Sequence, residues 1–136
     1  MTIRVYVPTT MRGLRSVVTS DGLGPAPFAA HAVTDAVRAE LADGGDEEWE
    51  YAAASAAGLA SVELLRDDDP ARRVVVAVDV PSVRVVESDD PTLVEVAEAV
   101  PFTCVAAVLA DSGAAEADVA AAREAVLAGA AGADRL

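Results

Sequence analysis

The sequence predicts a single α/β domain over residues 1–136, in which one mixed sheet of about five strands is covered by about four helices. An α+β arrangement is the alternative. The length fits one domain, and two apolar runs, at 74–80 and 105–110, have the composition of strands. Segments with helical apolar spacing lie between the strand-like segments. The ordered core is expected over about residues 3–128, followed by a frayed tail at 130–136.

Six segments have the alternating or continuous apolar pattern of strands. They are residues 3–7, 28–33, 74–80, 83–86, 93–100 and 105–110. The runs at 74–80 and 105–110 contain almost no polar residues, which is typical of inner strands that are covered on both faces. We therefore expect these two runs to lie side by side in the middle of the sheet. The short segment 83–86 is predicted as an edge strand.

Four helices are predicted, at residues 11–20, 35–41, 46–66 and 115–128. Thr9 or Thr10 is placed to cap the first helix, and Thr34 the second. The third helix begins with acidic residues that oppose the positive end of its dipole. Two apolar stripes run along it, so we expect it to pack on two sides. The second of these stripes consists of Tyr51, Ser55, Gly58, Val62 and Leu65.

The order of the early elements, strand–helix–strand, favours a parallel pair of strands joined by a right-handed crossover. The later strands can pair as antiparallel neighbours. This combination predicts a mixed sheet with helices packed over it.

The charge of the chain limits its partners. The formal net charge is −13, and the composition gives an isoelectric point near 4.2. A surface this acidic repels phosphate backbones and anionic lipids, so we expect no nucleic acid and no membrane as partner. The only cysteine is Cys104, which excludes an internal disulfide and fits a reducing compartment. The amino-terminal residues enter a strand directly, without the apolar region of a signal peptide, so we predict a cytoplasmic protein.

Four segments in a fixed order carry a resemblance to a known family. They are IRVYVPTT, PFAAHAVT, GDEEWEYAA and VVVAVDVP. Together they resemble a family of small uncharacterised actinobacterial proteins over roughly residues 3–128. The function of that family is unknown, so the resemblance implies a shared fold and source but no reaction.

Two acidic residues follow apolar runs and are candidates for chemistry. Asp79 lies near the end of one predicted inner strand, and Asp111 directly follows the other. In open α/β sheets ligands bind beyond the carboxyl ends of the strands, where paired carboxylates can hold Mg²⁺. The structural alternative, which we favour, is that aspartates commonly cap turns and helices, and Asp111 precedes Ser112 and Gly113.

His31 and Glu48 complete the set of candidate catalytic residues. His31 is the only histidine and could act as a general base or a metal ligand. A single histidine without a second ligand nearby is weak evidence for a metal, and a histidine that holds the end of its strand is the preferred interpretation. Glu48 could supply an oxygen ligand to a metal, but a solvated acidic first turn that opposes the helix dipole is the preferred interpretation.

The start of the first helix is a candidate anion site. Thr9, Thr10 and Arg12 follow a predicted strand, where free backbone N–H groups and an arginine could bind a phosphate. A structural cap is the simpler interpretation. The sequence has neither a GxGxxG nor a GxxxxGK[ST] motif, and we predict no cofactor and no metal.

Two functions from different classes remain open. The leading hypothesis is a non-catalytic cytoplasmic protein that acts through self-association, as a homodimer, or by binding another protein. The alternative is a small metal- or phosphate-dependent enzyme whose carboxylates lie at strand ends. That enzyme needs its candidate side chains to converge in one cleft.

Overall fold

The computed structural model describes the backbone of residues 1–134 and the side chains of residues 1–128. The strands are β1 Ile3–Thr9, β2 Gly22–Leu23, β3 Phe28–Ala32, β4 Val74–Val80, β5 Arg84–Val85, β6 Leu93–Val96, β7 Val100–Pro101 and β8 Val105–Ala110. The helices are α1 Met11–Thr19, α2 Asp35–Glu40, α3 Asp46–Leu64 and α4 Glu116–Asp134, with 3₁₀ turns at Phe102–Cys104 and Gly113–Ala115. The predicted combination of about four helices with one main sheet is confirmed.

The main sheet has six strands in the order β5-β6-β3-β1-β4-β8, and β2 and β7 form a separate two-stranded sheet. Every pair of neighbours is antiparallel, so the expected parallel pair is wrong. The reason is that β1 lies between β3 and β4. These two strands both run opposite to β1 and therefore parallel to each other, joined by the long α3 connection, but they never touch as neighbours. The result is a split β-α-β unit with an extra strand inserted.

The two faces of the sheet are covered differently. One face, here called the α3 face, carries Tyr6, Val75 and Ala77, which pack against Ala53 and Ala57 of α3. Both alanines are fully buried, and their small side chains bring the helix close to the sheet. The opposite face, here called the α1 face, is a larger cluster rich in valine. Its members are Val5, Val7, Val17, Leu23, Ala30, Ala32, Val76, Val78, Val80, Val94, Val96 and Val100.

The two apolar runs of the second half are neighbours, but only one of them is an inner strand. β4 is buried along almost its whole length, as predicted. β8 pairs with β4 alone, forms the outer edge of the sheet and exposes five of its six residues, so the prediction of a second buried strand is wrong. Within residues 1–128 no side chains cover these exposed residues of β8. α4 packs against α3 instead, where Arg123 Nε donates a hydrogen bond to Leu65 O at 3.1 Å.

The predicted helix caps are confirmed. Thr10 Oγ1 accepts a hydrogen bond from Gly13 N at 3.0 Å, and Thr34 Oγ1 accepts one from Val37 N at 3.2 Å. α4 continues to Asp134, beyond its predicted end at residue 128. The predicted frayed tail, residues 130–136, reaches outside the described part of the chain and stays a prediction. Among residues 1–134, no helix has the length and apolarity needed to cross a membrane.

Candidate functional site

Asp79 and Asp111 lie at opposite ends of the sheet. Asp79 is near the end of β4, whereas Asp111 follows β8 and lies beside the beginning of β4, where its backbone N–H donates to Arg73 O at 3.1 Å. The separation follows from the antiparallel pairing of β4 and β8, since the ends of antiparallel neighbours point in opposite directions. The two carboxylates therefore do not form a shared site.

Each of these carboxylates is instead bound by an arginine. Asp79 accepts bonds from Arg4 Nε at 2.8 Å and Arg4 Nη2 at 3.1 Å across the β1–β4 pair. Asp111 accepts three bonds from Arg73, from the backbone N at 2.9 Å, Nε at 2.8 Å and Nη2 at 3.0 Å. The arginine partner lowers the pKa of both carboxyl groups. The positive charge of the guanidinium beside each carboxylate opposes the binding of a metal cation there, and Asp111 does not cap the following turn.

His31 is buried, with 5% of its surface exposed. Its Nδ1 lies 2.8 Å from Thr92 Oγ1, and that hydroxyl donates to Asp90 Oδ1 at 2.7 Å. Because the hydroxyl has one proton and gives it to Asp90, Nδ1 must carry the imidazole proton and act as the donor. Burial lowers the pKa of His31, although the nearby Asp90 opposes the shift. A neutral histidine in this chain of bonds holds the turn before β6 in place.

His31 and Asp79 do not reach one another. β1 separates β3 from β4, so the two strands are two strand spacings apart, about 10 Å. Asp79 is also displaced by two residues along the sheet, since it pairs with Arg4 and not with Tyr6. Between them lies Tyr6, which is paired with His31 in the β1–β3 register and donates to Glu50 Oε2 at 2.6 Å. Burial is the main cause that raises the pKa of Tyr6 to about 12, with the bond to Glu50 adding to it.

The Tyr6–Glu50 pair was missed by the sequence analysis, which singled out Glu48 in the same helical turn. Glu48 is exposed, whereas Glu50 turns toward the sheet. The alternation in β1 contained the necessary signal, because Arg4 and Tyr6 share the face that α3 covers. Within residues 1–128 no group of three or more His, Cys, Asp or Glu side chains is placed to hold a metal ion.

The predicted anion site is assembled but already occupied by carboxylates. Thr9, Thr10 and Arg12 line an open hollow of about 310 Å³ at the start of α1. Arg12 Nη2 donates to Asp68 Oδ2 at 2.7 Å, and Arg12 lowers the pKa of that carboxyl. Asp69 Oδ1 is buried 3.5 Å from Arg12 Nε, without a hydrogen bond. An incoming anion would have to displace Asp68 and sit against the charge of Asp69.

The exposed edge strand β8 is the feature that the internal contacts leave unexplained. Five of its residues are exposed, and Val108 and Leu109 keep 42% and 47% of their surfaces accessible. An open groove of about 340 Å³ separates β8 from α3 on the α3 face. Leu109 lines it from the strand, and Tyr51, Ser55 and Gly58 line it from the helix. The amino-terminal part of the second apolar stripe of α3 therefore has no partner within residues 1–128.

The hydrogen-bonding groups of β8 alternate between β4 and solvent. Asp111 N bonds Arg73 O, which extends the register that places Leu109 opposite Val75. Residues two apart along a strand direct their N–H and C=O groups to the same side, so Leu109 bonds toward β4. Val108 and Ala110 must then direct theirs outward. The edge offers two donors and two acceptors within three residues.

The chain belongs to a family of unknown function, DUF6912, whose family model matches residues 3–135. The chain matches no curated protein and no solved structure. The family membership agrees with the resemblance noted in the sequence, and it assigns no reaction to any residue.

Proposed function

We propose that this protein is a non-catalytic binding module that takes up an extended polypeptide segment beside β8. The observation that carries the proposal is the nature of this edge, a six-residue strand without a charged residue whose side chains are exposed on both faces. Strand addition at such an edge supplies main-chain hydrogen bonds, and alternate side chains determine which segments fit. The partner segment is uncharged and rich in small apolar side chains, because it must lie against the alanines, Val108 and Leu109.

The opposite edge of the same sheet supports the proposal by contrast. β5 has two residues, and its Arg84 donates to Glu95 Oε1 at 2.7 Å. Short length and a charged side chain are the usual means by which proteins protect a sheet edge from pairing. β8 has neither. An edge without this protection is either a liability or a binding surface, and we propose the second.

A catalytic role has less support. The rival function is a small metal- or phosphate-dependent enzyme, which needs several of the candidate groups to converge in a cleft. His31 is buried in a structural chain of bonds, and Asp79 and Asp111 are held by arginines at opposite ends of the sheet. Every candidate with a described partner is engaged in a contact that stabilises the fold.

The cellular setting of the proposal rests on charge and cysteine content. The net charge of −13 disfavours nucleic acids and anionic membranes as partners. The single cysteine fits a reducing compartment, and we place the protein in the cytoplasm.

Strand addition can be tested by NMR with a peptide of residues 103–110, which contains no charged residue, carrying solubilising ends. Binding should shift the amide signals of Val108 and Ala110 and slow the hydrogen exchange of both amides. Val108→Pro removes an outward N–H without removing a bond to β4, so this variant should lose the binding. Val108→Thr keeps the N–H and the branched shape, and should retain it. Absence of these changes in the wild type would contradict the proposal. A thermal shift with Mg²⁺, Mn²⁺ or Zn²⁺ would instead favour the enzyme.

A further inference from the structure

We infer that the segment which covers β8 is β8 of a second copy of this chain, paired antiparallel with Leu109 opposite its counterpart. The inference rests on the proposed function, since it names the partner for the same edge. Three features of β8 support a second copy as partner: the outward direction of its N–H and C=O groups, the position of the irregularity in its pairing with β4, and the absence of charged residues along the strand.

The outward groups of β8 fit a copy of themselves. A two-fold axis beside Leu109 places Val108 of each chain opposite Ala110 of the other. Both of these residues direct their N–H and C=O groups outward, so two pairs of hydrogen bonds form. Leu109 then lies in the non-hydrogen-bonded position between them, where opposite Cα atoms come within about 4.5 Å. The two exposed leucine side chains meet on the α3 face, at the mouth of the groove lined by Tyr51.

The register centred on Leu109 is the one that uses the regular part of the strand. The β4–β8 pairing shifts between Ala77 and Val78, which leaves Ala106 without an opposite residue. Registers centred on Val108 or Ala107 would need Ala106 or Cys104 to pair with Ala110. An axis at Leu109 needs only the residues beyond the irregularity.

Charge also favours this edge for self-association. Two chains of net charge −13 repel each other over most of their surfaces. Residues 99–110 contain no charged residue, and the end of β8 carries Asp111 neutralised by Arg73. The neighbouring Arg72 is paired with Glu116 at 3.0 Å. The strand itself is therefore uncharged, and the charged residues near its end, Asp111 and Arg72, are each paired.

The assembly closes at two chains. Antiparallel pairing of β8 with its copy uses both exposed edges and joins the two sheets into one. The remaining edges are the two-residue β5 strands with Arg84, which cannot continue the pairing. Stable interfaces bury about 1,200–2,000 Å² in total, and a contact of one strand pair with its flanking side chains is small by that measure. We therefore expect a reversible dimer.

Sedimentation equilibrium over micromolar to near-millimolar concentrations tests the partner. The mass of the wild type should rise with concentration toward twice the 13.8 kDa of one chain. Leu109→Glu places two carboxylates opposite each other and should keep the protein monomeric. Val85→Glu is the matched control, because Val85 is an exposed apolar residue on the other edge, and it should dimerise as the wild type does. Circular dichroism of both variants checks that they fold.

The register is tested by disulfide formation in a Cys104→Ser background. Leu109→Cys should give a disulfide-linked dimer under mild oxidation, since opposite residues in a non-hydrogen-bonded pair lie within disulfide reach. Val108→Cys should give far less, because Val108 faces Ala110 of the other chain and not its own counterpart. Equal linking at both positions, or a dimer that survives Leu109→Glu, would overturn the inference.

Dimerisation through β8 and strand addition at β8 can be refuted separately. A wild type that stays monomeric at every concentration overturns the second copy as partner. If that monomer still binds the peptide at Val108 and Ala110, strand addition stands and the partner is another polypeptide. If it neither dimerises nor binds the peptide, both the inference and the proposed function are wrong.

Discussion

Removing the hydroxyl of Ser61 should destabilise the fold more than any other loss of a single oxygen atom on α3. Ser61 is fully buried, and its Oγ donates to Thr9 O at 2.6 Å and accepts from Val74 N at 3.0 Å. Thr9 and Val74 are the last register pair of β1 and β4. The hydroxyl therefore joins the helix to the end of the central strand pair and satisfies two main-chain groups at once.

The expected loss in Ser61→Ala can be worked from these contacts. Each buried main-chain group that is left without a partner costs about 1–3 kcal/mol. Two such groups, with some relaxation, give a loss of about 3 kcal/mol in the free energy of unfolding. For a chain of this size that corresponds to a fall of about 10 °C in the melting temperature. Alanine has the better helix propensity by roughly 0.5 kcal/mol, which acts in the opposite direction.

The control for Ser61→Ala is Ser55→Ala on the same helix. Ser55 is exposed and has no hydrogen bond from its hydroxyl among the described contacts, so the substitution changes helix propensity alone. Urea unfolding of both variants at neutral pH isolates the contribution of the two bonds. A difference below about 1 kcal/mol would refute the reasoning, and would mean that Thr9 and Val74 close a direct hydrogen bond once the hydroxyl is gone.

Three further predictions concern titratable groups. Burial holds the pKa of His31 below 6.5, so the unfolded chain takes up a proton at a higher pH than the folded chain does. The free energy of unfolding of the wild type should therefore decrease as pH falls below about 6.5. In urea unfolding, the free energy of unfolding of His31→Asn should depend less on pH over this range. Asp111→Asn should lower the free energy of unfolding by about 1 kcal/mol at pH 7, a modest value because Arg73 is half exposed. In acid, where Asp111 becomes protonated, the free energy of unfolding of the wild type should approach that of the variant. Tyr6→Phe removes the bond to Glu50 and should lower the free energy of unfolding by about 1 kcal/mol. It should also remove an absorbance transition of tyrosinate whose midpoint lies at about pH 12. If that transition persists in the variant, it belongs to another tyrosine.

The elements that could be predicted from the sequence are those whose signal is local. The valine run at 74–80 identified β4, because a stretch with almost no polar residues is typical of a strand that is covered on both faces. Thr10 and Thr34 marked the starts of α1 and α2, because a side-chain oxygen three residues before a free N–H satisfies it within one turn. Such signals do not depend on the rest of the fold.

The direction of the strands and the cover over β8 could not be predicted in this way. Whether β1 and β3 run parallel depends on the position of β1 in the sheet. No residue within either strand indicates that position. The apolar sequence of β8 indicates that the strand favours burial, but it does not indicate whether another element of the chain packs over it. The candidate site depended on the relative direction of β4 and β8, since Asp79 and Asp111 could lie at the same edge of the sheet only if these two strands were parallel.

The inner place of β1 has a consequence for how the protein is made. β1 is synthesised before both of its neighbours, and one of them, β4, begins only at Val74. β4 in turn gains its second neighbour only when β8, at Val105–Ala110, has been made. Until then, the hydrogen-bonding groups along one edge of an apolar strand in the nascent chain have no partner strand. The sheet is therefore completed only after Ala110 has been synthesised. A ribosome that stalls before residue 74 leaves a fragment in which β1 can pair only with β3 or with another unfinished chain.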